Sequence, residues 1–240
     1  MGNWRTRALT LFILAAAALS GCAYIDFDKL APAKISGSLF VMWVGEGGSS
    51  GDGRFVFVPD PSDPLTFRRA NASSPGAVIQ PGLMYTDGGS IPKVAQVFNG
   101  LSPWGYAPAY MIHDWMFTAH HCLVDGEDNS RFDQVRTVEF NDSARILGEA
   151  IQGLIAAKRV KRDDVAGIAI TNAVGSPIAR RLWDVQGECE RLKVSAKHVA
   201  AVENAIPGSS RLVVRRLLKI APETPRVSAP AATIITKVSF

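Results

Sequence analysis

The hydrophobic period of this chain changes partway along its length, and this change restricts the fold to a sheet followed by helices. Residues 38–44 and 54–58 are rich in β-branched and aromatic side chains, and they flank a Gly- and Ser-rich segment at 45–53. Such an arrangement predicts a hairpin with a long loop. Shorter strand-like runs follow at 65–69 and 77–80, separated by Pro and Gly. The N-terminal third is therefore predicted to form a small antiparallel sheet.

From residue 106 onward the apolar residues recur with the period of an α-helix. Ala109, Ile112, Met116 and Ala119 share one face of the first such segment. We therefore predict an α+β fold in which the small antiparallel sheet packs with helices from the C-terminal two thirds. The predicted helices are 106–121, 140–158, 164–183 with a bend near Gly175 and Pro177, 195–206 with Ser195 as the N-cap, and 211–220.

Composition divides the chain into five parts. Pro222, Pro225 and Pro230, together with Ala, Ser and Thr, predict a loose segment near the end of the chain. The predicted parts are a signal peptide at 1–21, a tether at 22–37, an α+β domain at 38–183, a C-terminal helical extension at 184–220 and a flexible tail at 221–240.

The N-terminal segment has the pattern of an export signal. Arg5 and Arg7 precede a twelve-residue stretch at 8–19 whose only polar member is Thr10. This stretch suits a signal peptide and is too short to span a bilayer as a helix. It ends in Leu-Ser-Gly-Cys at residues 19–22, which resembles the lipobox of bacterial lipoproteins.

The lipobox resemblance implies that Cys22 becomes the acylated N-terminus, with palmitate among its fatty acids. Several acyl chains would hold the protein firmly on a membrane. The next residue is Ala23 rather than Asp, which in Gram-negative lipoproteins favours the outer membrane over retention in the inner one. We therefore expect a protein of the cell envelope, held by lipid on the outer membrane and facing the periplasm.

The charge of the chain is less basic than its net value of +4 indicates. Removal of residues 1–21 leaves 24 basic and 22 acidic side chains, a net charge of +2. Residues 22–150 then carry −6 and residues 151–240 carry +8. A nucleic-acid partner is not expected, because no binding motif is present and the envelope is the wrong compartment. The basic half suits anionic lipid or the acidic half of the same fold.

Two cysteines remain beyond the lipobox. Cys122 and Cys189 lie in a chain predicted to be exported, and an oxidising compartment permits a disulfide between them. Separate buried thiols are the alternative.

The segment at 80–117 contains the most informative motifs. It includes Thr-Asp-Gly-Gly-Ser-Ile-Pro at 86–92 and His-Asp-Trp-Met-Phe at 113–117. An Asn-Asp-Ser-Ala segment at 141–144 opens a later amphipathic helix. Together these motifs resemble a bacterial and phage-associated family known as domain of unknown function number thirteen fifty-three.

The resemblance covers residues 53–183 and implies kinship without implying a reaction. The family pattern is T-D-x-A-S-[IV]-P, then an aromatic segment and H-D-[WY]-[LMF]-[YF], then a further Asp. Gly89 replaces the usual Ala, and the segment at 120–126 matches less well. The residues that fit the polar positions of the pattern are Asp87, Ser90, His113, Asp114 and Asp142.

Four residues are candidates for a catalytic role: Asp87, His113, Asp114 and Asp142. A histidine beside carboxylates suits general acid–base hydrolysis, and the same groups suit a divalent metal. Structural roles are the alternative, because Asp in a turn bonds nearby backbone and Asp at a helix start favours the helix dipole. His113 and Asp114 interrupt an apolar stretch, where a buried carboxylate requires a partner. The sequence identifies neither a metal nor a cofactor.

Two functional hypotheses follow. The first is a lipid-anchored envelope protein with a binding or structural role, whose partner would be another protein or the cell wall. The alternative is an envelope hydrolase that uses the His/Asp cluster, with or without a metal. The first is favoured, because no known catalytic or metal-binding motif is complete.

Overall fold

The computed structural model describes residues 25–45, 54–86, 105–162, 164–212 and 232–240. Within these ranges the chain forms two antiparallel sheets, largely from its N-terminal third, and helices from residue 107 onward. The predicted α+β class is therefore confirmed.

Seven strands lie in the described ranges. They are β1 (Lys34–Ser36), β2 (Ser38–Trp43), β3 (Phe55–Pro59), β4 (Thr66–Arg68), β5 (Val78–Ile79), β6 (Met84–Thr86) and β7 (Thr233–Ser239). The larger sheet has the order β6-β3-β2-β7, and the smaller one has the order β1-β4-β5. The predicted hairpin is present as β2 and β3, with Val41 opposite Phe57. The sequence predicted one sheet where the structure has two.

Six α-helices lie in the same ranges. They are α1 (Ala107–Val124), α2 (Phe140–Ala156), α3 (Asp164–Val174), α4 (Pro177–Trp183), α5 (Cys189–Leu192) and α6 (Ala196–Ala205). The predicted bend is a complete break, because Ser176 caps the start of α4 by accepting a hydrogen bond from Ala179 N. Ser195 caps α6, as predicted. No helix in the described part is both long and apolar enough to cross a membrane.

The predicted tether is partly folded, which corrects the expectation for residues 22–37. β1 pairs with β4, and Phe27 is buried against α3. Ala33 N donates to Glu149 O of α2 (3.0 Å). A Cβ at Gly153 would lie 2.2 Å from Ala33 O, so glycine is needed for this close approach. Pro32 and Gly37 suggested a tether, but tertiary contacts order the segment between them.

The predicted tail also requires correction, because β7 pairs along the whole of β2. The side chain of Lys237 donates to Asp60 (2.7 Å) and so joins β7 to the end of β3. Burial raises the pKa of Asp60, but hydrogen bonds from Lys237 and Ser62 outweigh it and bring the pKa to about 2. The prolines of residues 221–231 led to the prediction of a flexible tail as far as residue 240, but the final strand is paired in the larger sheet. Residues 213–231 lie outside the described ranges.

The larger sheet is covered on both faces. One face, with Leu39, Val41 and Phe57, packs in the main core against α1 and α2. The other face is covered by the helical extension, and its core residues are Met42, Val44, Val56, Val58, Leu83, Val194, Val199, Val202 and Ile206. The extension at 184–212 is therefore part of the folded unit, because it covers apolar strand residues that would otherwise face water.

A buried ion pair connects the smaller sheet to α2. Arg69, which directly follows β4, donates from Nε and Nη2 to the two carboxylate oxygens of Glu149 at 2.8 and 2.7 Å. Its Nη1 donates to Pro75 O (2.7 Å). The two side chains are only 5% and 10% exposed. Because both charges are desolvated and paired by two hydrogen bonds, the position of α2 over the small sheet is closely defined.

We expect R69M and E149L each to lower the free energy of unfolding by about 3–5 kcal/mol, because each removes the bidentate partner of a buried charge. The double variant should lose less than either single variant, since both charges are then absent. Urea unfolding of the four proteins measures this difference. R136M, which removes an exposed ion pair with Asp133, is the control and should cost less than about 1 kcal/mol. Additive losses in the double variant would contradict this account.

Candidate functional site

His113 and Asp114 lie in the middle of α1, a helix that contributes many residues to the main core. Pro108 lies in the first turn of the helix. A backbone N–H at this position has no partner within the helix, so proline, which lacks the N–H, is well tolerated there. His113 is 9% exposed. Its Nδ1 lies 3.6 Å from Asp114 Oδ1, which is too long for a good hydrogen bond. Its Nε2 is buried and has no hydrogen-bond partner in the described structure.

Tyr110 belongs to the same group, although sequence reasoning did not select it. Its hydroxyl is buried without a hydrogen-bond partner in the described part. Burial raises the pKa of Tyr110, and the nearby Tyr106 and Asp114 raise it further. Tyr110, His113 and Asp114 therefore form one polar patch on α1, which we call the α1 polar patch. Their spacing of three and four residues was visible in the sequence.

Asp142 does not join the α1 polar patch. Its carboxylate accepts a hydrogen bond from Glu139 N (3.3 Å), and the Glu139 side chain accepts one from Asp142 N, so the two form a capping box at the start of α2. Its other oxygen is 3.9 Å from Arg69 Nη1. In the described part it makes no hydrogen bond or ion pair with His113 or Asp114. The geometry therefore supports the helix-start role of Asp142 and not a catalytic one.

Three residues selected from the sequence lie outside the described ranges. They are the lipobox residue Cys22 and the motif residues Asp87 and Ser90.

The two remaining cysteines are joined in a disulfide. Cys122, near the end of α1, is bonded to Cys189, the first residue of α5, with their Cα atoms 4.6 Å apart. Together with Glu127 they place three donor atoms within 4.8 Å of one another, an arrangement that would suit a metal if the thiols were free. The disulfide uses both sulfurs, and Lys193 forms an ion pair with Glu127. In this state the group is a covalent link between helices.

Hydrogen bonds reinforce the same junction. Asp125 accepts from Gly187 N (2.7 Å) and Cys189 N (2.9 Å), and these bonds lower the pKa of its carboxyl. Nδ1 of His121 lies 2.9 Å from Val185 O. The segment at 120–126 thus forms a contact with the C-terminal extension.

A surface pocket of about 340 Å³ lies beside this junction. It is lined by His120, Val138, Glu139, Phe140, Asn141, Arg180 and Trp183. His120 stacks on Trp183 with ring centres 3.8 Å apart. Burial lowers the pKa of His120, and the neighbouring His121 lowers it further. His113 does not line the pocket, because the ring of Phe117 packs between His113 and Trp183.

Comparison with known proteins found no match among models of protein families, among curated proteins or among solved structures.

The disulfide should contribute substantially to stability, because it closes a loop with a sequence separation of 67 residues. In the chain-entropy description a loop of this length corresponds to about 4 kcal/mol. We expect C122S/C189S to lose about this amount in urea unfolding. A reductant should destabilise the wild-type protein to a similar extent and leave the variant unchanged. Equal effects of the reductant on both proteins would contradict this assignment.

Proposed function

We propose that this chain is a lipid-anchored protein of the bacterial envelope, with a binding or structural role. The observation that carries the proposal is the disulfide between Cys122 and Cys189. Disulfides persist in exported proteins and are rare in the reducing cytosol. This bond therefore supports export, which is also what the signal-like segment at 1–21 and the lipobox at 19–22 predict.

The roles of the candidate residues support binding or structure over catalysis. Asp142 is used in a helix cap, and His113 and Asp114 are too far apart for a good hydrogen bond. Trp115 and Met116, the next residues of the family-like motif, are buried in the core. Most of this motif thus contributes to packing. Kinship with domain of unknown function number thirteen fifty-three is part of the proposal, and the partner we propose is a protein or the cell wall.

Metabolic labelling with an alkyne analogue of palmitate tests the anchor. The wild-type full chain expressed in a bacterial host should be labelled and cleaved, whereas C22S should be neither, because the acceptor thiol is missing. C122S/C189S is the matched control and should keep the label. A23D should move the labelled protein from the outer-membrane to the inner-membrane fraction. An unlabelled wild-type chain, or a labelled C22S chain, would overturn the proposal.

A second candidate function is hydrolysis, and one observation favours it. Nε2 of His113 is buried without a hydrogen-bond partner in the described structure, and so is the hydroxyl of Tyr110, three residues earlier on α1. Such orphaned polar atoms are uncommon in folded proteins and occur where a substrate, water or ion binds. In this alternative His113 acts as the general base and Asp114 orients it.

A panel of chromogenic carboxylate esters, phosphate esters and peptidoglycan fragments tests this alternative. If the wild-type protein hydrolyses one of them through His113, H113Q should remain folded and lose at least about 100-fold in turnover. D142N should keep its turnover and lose about 1 kcal/mol of stability, because Asp142 acts in the cap. If no substrate is cleaved, or if H113Q and D142N have equal turnover, this alternative fails.

A further inference from the structure

Basic side chains are concentrated in the loop that joins α2 to α3. Residues 158–164 contain four basic and two acidic side chains. The basic ones, all exposed, are Lys158, Arg159, Lys161 and Arg162. Arg162 donates to Asp28 (2.8 Å), but neither Lys158 nor Lys161 forms an ion pair with any residue in the described part. Within the described part, the loop therefore presents the positive charges of Lys158 and Lys161 without an acidic partner.

The same loop lies close to the predicted anchor. Its partner Asp28 belongs to a short 3₁₀ turn, Phe27–Lys29, whose Phe27 packs against Gly167 of α3. Ile25 is buried and only three residues after Cys22. A chain of three residues spans at most about 10 Å. An acylated Cys22 would thus hold the bilayer surface within about 10 Å of Ile25, which directly precedes the residues that contact this loop and α3.

From residue 165 onward, the exposed face of α3 is uncharged. No residue from 165 to 179 carries a charge, yet Ile168 is 39% exposed, and Ala169, Asn172 and Ala173 are exposed beside it. A helix face that meets only water usually carries charged residues. Exposure of apolar side chains continues in α4, where Ile178 and Leu182 are 72% and 58% exposed. An apolar helix face next to basic residues suits the interface of an anionic bilayer.

From these three observations we infer that the folded domain lies against anionic lipid through the loop 158–162 and the exposed face of α3. We call this the lipid-facing surface. The inference rests on the proposed anchoring through Cys22, which brings the membrane to this side of the molecule. The acyl chains keep the protein on the membrane, and the lipid-facing surface sets the orientation of the domain on it. Each basic residue near an anionic surface strengthens such an interaction.

Lysine footprinting tests the orientation on the full, acylated protein. The protein is reconstituted into vesicles of phosphatidylcholine alone, or of phosphatidylcholine with about one third phosphatidylglycerol. Acetylation of each lysine is then followed by mass spectrometry. We expect Lys158 and Lys161 to react at least about tenfold more slowly on the anionic vesicles, and about 0.5 M salt to remove the difference. Lys197 of α6 is exposed and serves as the internal control, with equal rates on both vesicles.

Matched variants identify the residues responsible. On the anionic vesicles, we expect trypsin to cleave the wild-type protein slowly after Arg159 and Arg162, because the lipid covers this loop. K158Q/K161Q removes two charges without an ion-pair partner in the described part, so it should leave the fold intact and make this cleavage fast. K34Q/K197Q removes two exposed lysines elsewhere and should leave cleavage slow. Equal acetylation of Lys158 on the two vesicles would overturn the inference. Protection only in native envelope fractions, and on neither vesicle, would also overturn it and indicate a protein partner.

Failure of the anchor and failure of the lipid-facing surface give different results. If palmitate labelling succeeds but the two vesicles protect Lys158 equally, anchoring stands and the surface inference falls. If labelling fails, the unacylated full chain is mixed with the same vesicles. Selective binding to phosphatidylglycerol that K158Q/K161Q abolishes would then support the surface by itself, and equal binding to both vesicles would overturn it.

Discussion

The ion pair between Arg69 and Glu149 is the constraint on which the arrangement of this protein depends. Two buried charges are tolerated only if they meet in one geometry, and here the guanidinium reaches both carboxylate oxygens. The pair fixes α2 over the small sheet. α2 in turn carries the capping box at its start, supports Ala33 near its middle and leads into the basic loop at its end. The position of one helix thus relates the pocket, the core and the proposed lipid-facing surface.

At the other side of the main core, a disulfide fixes the position of the C-terminal extension. The disulfide from α1 to α5 and the hydrogen bonds around Asp125 hold the C-terminal extension on the larger sheet. α6 can then cover apolar strand residues that α1 and α2 do not reach. The α1 polar patch is therefore carried by a helix that is fixed near its C-terminal end. Such rigidity suits a preformed binding surface as well as a catalytic group.

Local patterns predicted the helices well, because the apolar face of a helix is written in the spacing of its own residues. α2 and the Ser195 cap are examples. Prediction failed where order comes from distant partners. β7 contains the β-branched run 233–236, but its pairing with β2 joins residues about two hundred positions apart. Phe27 is ordered by α3 in the same way. The prolines in the predicted tether and in the predicted tail suggested flexible chain at both ends. Amino-acid composition contains no information about contacts with distant residues, so it could not reveal that these segments are folded.

The candidate site shows the same difference between features set by neighbouring residues and features set by distant ones. From its own residues the sequence determined that His113 and Asp114 are adjacent on a helix in an apolar setting, and that Asp142 stands at a helix start. Only the tertiary structure decided that Asp142 pairs with neither His113 nor Asp114, that the Tyr110 hydroxyl is buried without a hydrogen-bond partner in the described part, and that Arg69 pairs with Glu149. The physical reason is range. Helix period and capping depend on neighbours a few residues away, whereas the partner of a buried charge or thiol is set by packing across the whole fold.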